Sequence, residues 1–342
     1  MSEELKGEAW PQAAANPDFQ GIETGKPVFP LAGKTIWIAG HAGMVGQALQ
    51  RRLAGEACRL LTVERRALDL TSQAAVDDFL RQTRPDAIIV AAARVGGILA
   101  NDRGPADFLA DNLAINLNIA RSAHANDIDR VLFLGSSCIY PRDAAQPIGE
   151  DALLTGPLEP TNQWYAIAKI AAVKLAQAYR KQFGRNFISA MPTNLYGPGD
   201  NFDLETGHVL PALLRKAHEA KMSGASVIGL WGTGTARREF LHVDDCADAL
   251  VLLLQRHAEA SPVNIGYGED IALVDLARLI CETVGFKGDI ALDPGKPDGT
   301  PKKLLDCTRL RNLGWRPRIA LPIGIARTYQ WYRENLARGA AA

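Results

Sequence analysis

The strongest constraint on the fold of this chain lies in seven residues, Gly40-His41-Ala42-Gly43-Met44-Val45-Gly46. They follow the short apolar run Lys34–Ala39 and lead into Gln47–Ala54, whose apolar spacing is helical. Glycines three apart at a strand-to-helix junction allow a tight turn whose backbone can approach a bound group closely. The helix N-terminus behind them carries unbonded N–H groups and the positive end of a dipole, which attracts an anion. A glycine trio could also be a turn packed closely on a helix. Its position directly after the first buried strand points instead to a dinucleotide pyrophosphate.

The downstream pattern continues in the same style. Arg59–Val63 fits a second strand and Ala74–Gln82 a helix, and Pro85-Asp86 introduces the apolar strand Ala87–Ala92. A long helix over about Ala106–Asn126, a strand at Arg130–Leu134, a helix within Asn162–Ala178 and a strand at Asn186–Met191 follow. Strands alternating with helices at this spacing predict an α/β chain with a doubly wound parallel sheet of the Rossmann type. After Tyr196 the pattern loosens into the loop Gly197-Pro198-Gly199-Asp200-Asn201 and short mixed elements. Three parts are therefore expected: a loosely ordered extension at 1–33, broken by Pro11, Pro17, Pro27 and Pro30; a dinucleotide-binding domain at 34–195; and a second, smaller α/β substrate domain, mainly 196–342. Glu239–Leu254 reads as strand then helix, so about 238–260 could return to the first domain.

Composition narrows the partners. Lys and Arg number 38, as do Asp and Glu, so net charge gives no support to nucleic-acid or membrane binding. Cys58, Cys138, Cys246, Cys281 and Cys307 are odd in number with no close pairs, which argues against a disulfide framework or a metal site and suits a reducing compartment. No apolar run approaches the roughly 20 residues of a membrane span. The N-terminus lacks a basic segment followed by an apolar one, so a cytoplasmic location is expected.

Cofactor choice should be set at the end of the second strand. Glu64 could hold the 2′-hydroxyl of NAD, whereas Arg65 or Arg66 could pair with the 2′-phosphate of NADP; all three could also be solvated loop charges. The balance favours NADP(H), with Asp69 and Leu70 bordering the adenine. The chemistry is expected in the helix carrying Tyr165-Ala166-Ile167-Ala168-Lys169, because residues four apart share a helical face. An ammonium beside a phenol should lower a pKa that starts near about 10, giving a usable general acid. Leu134-Gly135-Ser136-Ser137-Cys138-Ile139-Tyr140-Pro141 ends a parallel strand, at the edge where open α/β sheets bind ligands. A serine there could share a substrate carbonyl with Tyr165, or simply form a polar turn.

These residues resemble the extended short-chain dehydrogenases that act on nucleotide sugars. More specific matches are to the GDP-L-fucose synthases, the GDP-4-keto-6-deoxy-D-mannose 3,5-epimerase/4-reductases. They are the glycine turn, Ala91–Gly97, Gly135–Pro141, Glu159–Asn162, Met191–Gly197, Arg238–Asp245 and Lys296–Pro301, and the match covers roughly 34 to 335. The resemblance implies an NADPH-dependent bifunctional enzyme that inverts C3 and C5 of the keto sugar and then reduces the C4 ketone. It assigns Ser136, Tyr165 and Lys169 to reduction, Cys138 and His208 to epimerisation as base and acid, and Asn194, Lys216, Trp231, Arg238 and Asp298 to the GDP-sugar. Leu134, Gly135, Ser136, Ser137, Lys169, Pro192, Thr193, Asn194, Leu195 and His208 would line the cofactor beside the glycine turn, and a homodimer joined through a helix bundle is implied. A ketone at C4 acidifies the protons on C3 and C5, and cysteine and histidine, with ordinary pKa values near about 8.5 and 6.5, suit their exchange.

The chain departs from the resemblance in three places. Ala42 stands where the glycine turn usually carries Arg, leaving Arg65 more of the 2′-phosphate. Arg94 and Lys216 stand where Lys and Arg are expected, and Lys216 lacks the planar fork that grips a diphosphate bidentately. Two other readings compete. One is a simple 4-epimerase or dehydratase with tightly held NAD, although dehydratases usually carry an Asp-Glu pair that Ser136-Ser137-Cys138 lacks. The other is a cofactor-sensing regulatory protein, although such proteins often lose the Tyr or Lys present here.

Overall fold

The computed structural model describes residues 28–296 and 298–339. Most of the expected extension lies outside the described residues, but its last six do not run free. Phe29 N–H donates to Gln255 O at 3.0 Å and Leu31 is buried, because an apolar pair there covers the open end of the core.

The first half alternates as its sequence pattern predicts. β1 (Thr35–Ala39), α1 (Met44–Leu53), β2 (Arg59–Leu61), α2 (Gln73–Thr83), β3 (Ala87–Val90), α3 (Ile98–Arg103) and α4 (Pro105–Ala125) come first. β4 (Arg130–Leu134), α5 (Gln163–Phe183), β5 (Asn186–Pro192) and β6 (Asn194–Tyr196) complete it. The chain continues through α6 (Val209–Ser223), β7 (Val227–Trp231), β8 (Arg237–His242), α7 (Val243–Arg256), β9 (Val263–Ile265), β10 (Asp270–Ala272) and α8 (Leu273–Val284). It ends with β11 (Asp289–Asp293), β12 (Lys302–Lys303), α9 (Thr308–Asn312) and α10 (Leu321–Gly339).

Six strands form one parallel sheet in the order β2-β1-β3-β4-β5-β9. β1, β3 and β4 are buried along their whole lengths, which is why they read as unbroken apolar runs: helices cover both faces. α1 and α7 bury one face with Leu49, Leu53, Leu250 and Leu254. α2, α4 and α5 cover the other with Val76, Leu80, Ile119 and Ala172. The chain therefore returns to the sheet at α7 and β9. Arg130, only 2% exposed, pins that return by donating to Leu253 O, Leu254 O and His257 O, carbonyls at the end of α7.

The remaining strands are short. β8 is the centre of a small sheet, pairing antiparallel with β10 and parallel with β6 and β12, while β7 pairs with β11. β7 alternates exposed and buried residues, the mark of a strand with one wet face. α6, α8 and α10 pack behind these strands around Leu214, Leu276, Ile280 and Ile325.

Candidate active site

The glycine turn sits at the carboxyl end of β1, between β2 on one side and β3 on the other. Each glycine has a distinct reason. Gly40 has φ +89°, and a Cβ there would lie 2.5 Å from Ala92 N. A Cβ on Gly46 would lie 2.2 Å from Gly40 O, so α1 can approach the turn only without one. A Cβ on Gly43 would meet nothing nearer than Gly40 O at 3.6 Å, so that position faces free space. α1 has no side-chain cap and no acidic residue in its first turn. Gln47 Nε2 donates to Ala42 O at 2.7 Å and Gln50 Nε2 to His41 O at 2.8 Å, which ties the turn's carbonyls back to the helix. An open cradle with uncapped N–H groups fits a dinucleotide pyrophosphate.

Around the expected ribose end, His41 Nε2 lies 3.4 Å from a Glu64 carboxylate oxygen. Arg65 and Arg66 are exposed. Asp69 accepts Thr71 N–H and Oγ1–H at 2.9 and 2.7 Å; these bonds, with the Arg65 charge nearby, hold its carboxyl below the usual range. Leu70 packs against the α2–α4 core, and its carbonyl accepts from Asn118. Arg94 is paired with Asp107 and Asp111 on α4.

Tyr165 and Lys169 sit under the end of β4, Lys169 buried and Tyr165 half-buried. Lys169 is 2% exposed and donates to Leu134 O at 2.7 Å, with its ammonium 5.6 Å from the Tyr165 ring centroid. Burial lowers the Lys169 pKa to about 8, against an opposing pull from Cys138. Tyr165 departs from the expectation of a lowered phenol pKa. Burial pushes it up, and Cys138 adds to the rise. The phenol is therefore held protonated.

Ser136 Oγ accepts Cys138 N–H at 3.3 Å, and the 3-10 turn Ser137–Ile139 buries Cys138. The expectation of ordinary pKa values for the Cys138–His208 pair also changes. Burial raises Cys138, opposed by the Lys303 ammonium, the Ser136 hydroxyl and Lys169, while burial lowers His208. His208 precedes α6 at its N-cap position and keeps exposed surface, although the protein packed around it lowers its pKa. Tyr140 and Glu150 brace the segment behind Cys138: Tyr140 Oη donates to Asn264 Oδ1 at 2.5 Å, and Glu150 accepts Asn264 N–H at 3.0 Å.

The expected substrate residues gather on the short strands. Asn194 Nδ2 donates to Glu239 O at 2.8 Å. Thr193 N–H donates to Ile265 O, with Pro192 ending β5 and Leu195 packed against the main core. Arg238 donates to Asp298 O at 3.2 Å, and the Asp298 carboxylate accepts Thr233 N–H and Oγ1–H at 2.7 and 2.9 Å. Lys216 donates to Gly229 O at 3.1 Å and lies 5.8 Å from the Trp231 ring centroid.

Two groups escaped the sequence reading. Lys303 lies within electrostatic reach of Cys138, Arg238 and Glu159, and burial lowers its pKa. It stands two residues past the Lys296–Pro301 match, and only the pairing of β12 with β8 brings it here. Asp200 follows the Gly197–Gly199 loop; burial raises its pKa to about 7, and Oδ2 has no partner among the described residues. Among the described residues no helix is long and apolar enough to cross a membrane, and no cluster of His, Cys, Asp and Glu could hold a metal ion.

The sequence profile of the NAD dependent epimerase/dehydratase family matches residues 36–266. A protein of Sinorhizobium fredii named GDP-L-fucose synthase is 56% identical over 311 residues, covering 91% of this chain and 99% of the relative. GDP-L-fucose synthase 1 of Arabidopsis thaliana is 54% identical over 302 residues, covering 88% and 94%. A crystal structure of a GDP-L-fucose synthetase from Naegleria fowleri bound to NADP superposes with a TM-score of 0.83 at 27% identity, covering 92% of this chain and 98% of that one. With the glycine cradle, Tyr165 and Lys169 together under the end of β4 and relatives matched along nearly their whole length, the chain belongs to the NAD dependent epimerase/dehydratase family, among the GDP-L-fucose synthases.

Proposed function

We propose that this enzyme converts GDP-4-keto-6-deoxy-D-mannose to GDP-L-fucose by inverting C3 and C5 and reducing the C4 ketone, with NADPH as its cofactor. The observation that carries the reading is the cluster at the end of β4, where buried Cys138 and Lys169 and half-buried Ser136 and Tyr165 share one site. When bound, the reduced nicotinamide supplies the hydride that reaches C4. Tyr165, kept protonated by burial, gives its phenolic proton to the C4 oxygen, and Ser136 Oγ–H holds that oxygen. Lys169, anchored on Leu134 O, orients the cofactor ribose and stabilises the phenolate left behind. Before reduction, Cys138, deprotonated against its raised pKa with the Lys303 and Lys169 charges to stabilise the thiolate, removes the proton from the acidified carbon, and His208 returns one from the other face.

Two features support NADP over NAD. Glu64, the group that would hold an NAD ribose, faces His41, and Arg65 is exposed beside it. The NADP-bound relative is in keeping with this. The enzyme acts as a homodimer joined through α4 and α5, whose Leu113, Leu117, Trp164 and Ile167 leave apolar surface on the outside. Its five cysteines are free, which suits the cytoplasm.

The test is to mix the protein with GDP-4-keto-6-deoxymannose and NADPH and to follow the absorbance of the reduced nicotinamide. Oxidation with formation of GDP-L-fucose is expected. No oxidation, or a product unaltered at C3 and C5, would overturn the bifunctional reading.

A further inference from the structure

Trp231 ends β7 at the rim of the substrate region and is 38% exposed. Two lysines from different parts of the chain lie against its indole. Lys216, from α6, places its ammonium 5.8 Å from the ring centroid, and Lys296, from the loop after β11, places its own at 5.5 Å. Lys216 also donates to Gly229 O, whereas the Lys296 ammonium has neither a hydrogen-bonded partner nor an ion pair among the described residues, its backbone N–H alone donating to Asp293 O. A third cation is close: Gly299, with φ +70°, brings the same loop so near Arg238 that a Cβ would lie 3.2 Å from its guanidinium. Arg238 donates only to the carbonyls of Arg237 and Asp298. Asp298 accepts from Thr233 and Asp293 from Gly295 N–H, while Asp298 and Glu159 stay within electrostatic reach of Arg238 and leave the two lysines unpaired.

Two ammonium groups without an ion pair among the described residues, with the Arg238 guanidinium near the same loop, make a place for an anion with several charges. An ammonium is a point charge, so Lys216 alone cannot make the paired bonds of a guanidinium fork. A second ammonium across the same indole can grip a second oxygen. The resting contacts do not compete seriously, because an exposed cation–π contact is weaker than a charge-assisted hydrogen bond to phosphate. With both lysines at the ring, Trp231 is a rest from which they swing to the ligand.

We propose that Lys296 is a substrate-binding residue that acts with Lys216, so that two lysines on Trp231 together hold the diphosphate of the nucleotide sugar. This rests on the GDP-sugar reading above, and the experiment separates the two. The full chain with NADP is titrated with GDP and with guanosine, by calorimetry and by the change in tryptophan emission that Trp231→Phe removes. Lys296→Ala should weaken GDP about tenfold and leave guanosine unchanged. In a Lys216→Arg background the same substitution should cost much less, because the fork takes over the second oxygen. Undiminished GDP affinity in Lys296→Ala would overturn the inference, as would equal losses for GDP and guanosine, which would make Lys296 a support for the indole. A wild type that binds no GDP would overturn the GDP-sugar reading and this inference with it.

Discussion

Two lysines sum up the difference between the sides of the site. Lys169, on the parallel-sheet side, is 2% exposed and fixed to Leu134 O, and its pKa falls to about 8. Lys216, on the short-stranded side, is partly exposed and rests on a carbonyl and an indole. Where the strand ends are buried on both faces, polar groups lose water and their proton affinities move, which is what proton transfer needs. Where the strands are short and wet on one side, burial lowers Lys216 and Arg238 as well, but Lys216 stays partly exposed and keeps its reach, which suits recognition. On the proposed function, chemistry and grip differ in how firmly burial fixes their cations, and that difference can be broken experimentally.

The largest effect is expected on the buried side. Tyr165→Phe keeps the ring and removes the proton donor, so NADPH oxidation should fall about 10²–10⁴-fold. GDP binding should stay as in the wild type; wild-type turnover in the mutant would end the assignment. Cys138→Ala should follow at about 10²-fold or more, but in a different measurement. Keto sugar incubated in heavy water should gain deuterium at C3 and C5 with the wild type and not with the mutant, read by NMR. The mutant should still reduce the unepimerised ketone slowly, and undiminished uptake at both carbons would make Cys138 a packing residue.

Smaller effects are expected from exposed charges. Arg65→Ala should lower kcat/KM for NADPH about ten- to hundredfold while sparing NADH, the scale of one charged hydrogen bond of roughly 1.5–3 kcal/mol. Equal losses for both cofactors would show that Arg65 does not read the 2′-phosphate. Lys216→Ala should raise KM for the keto sugar about tenfold with kcat held, because it removes grip that ground state and transition state share. A matching fall in kcat would blur the two sides. The gentlest probe is pH. With its pKa lowered to about 8, Lys169 is cationic below that value and loses its charge as pH rises through it. Single-turnover reduction should therefore be level up to about pH 8 and fall above it, by roughly tenfold for each further unit. Lys169→Arg should remove that fall if the charge is its cause.

Much of the sheet was legible because burial on both faces leaves no alternation to misread. Arg130–Leu134 is a strand over its whole predicted span, and Asn186–Met191 gains only Pro192. The region after Tyr196 was less so. β10 and β12 have three and two residues, too short for any period to show, and exist only through pairing with β8. α3 was missed because two glycines, Gly96 and Gly97, precede it and Gly104-Pro105 ends it, and such residues mask six helical ones between them. The site divides in the same way. Tyr165 and Lys169 are joined by helical spacing, so sequence links them, although it could not foresee that burial would raise the phenol's pKa. Lys303 and Cys138 belong to distant segments that meet only in the folded chain, and no spacing announces that.

The gathering of Lys216, Arg238 and Lys296 has a consequence for encounter as well as for affinity. Positive and negative residues are equal in number over the chain, so a distant polyanion feels almost no pull. Within about a Debye length, roughly 8 Å at physiological ionic strength, it meets two lysines without an ion pair among the described residues, beside an arginine that Glu159 and Asp298 offset in part. Capture of the nucleotide sugar is then a short-range event at the rim: its association rate should fall as salt rises, while the proton transfers at the buried end of β4 stay indifferent to salt.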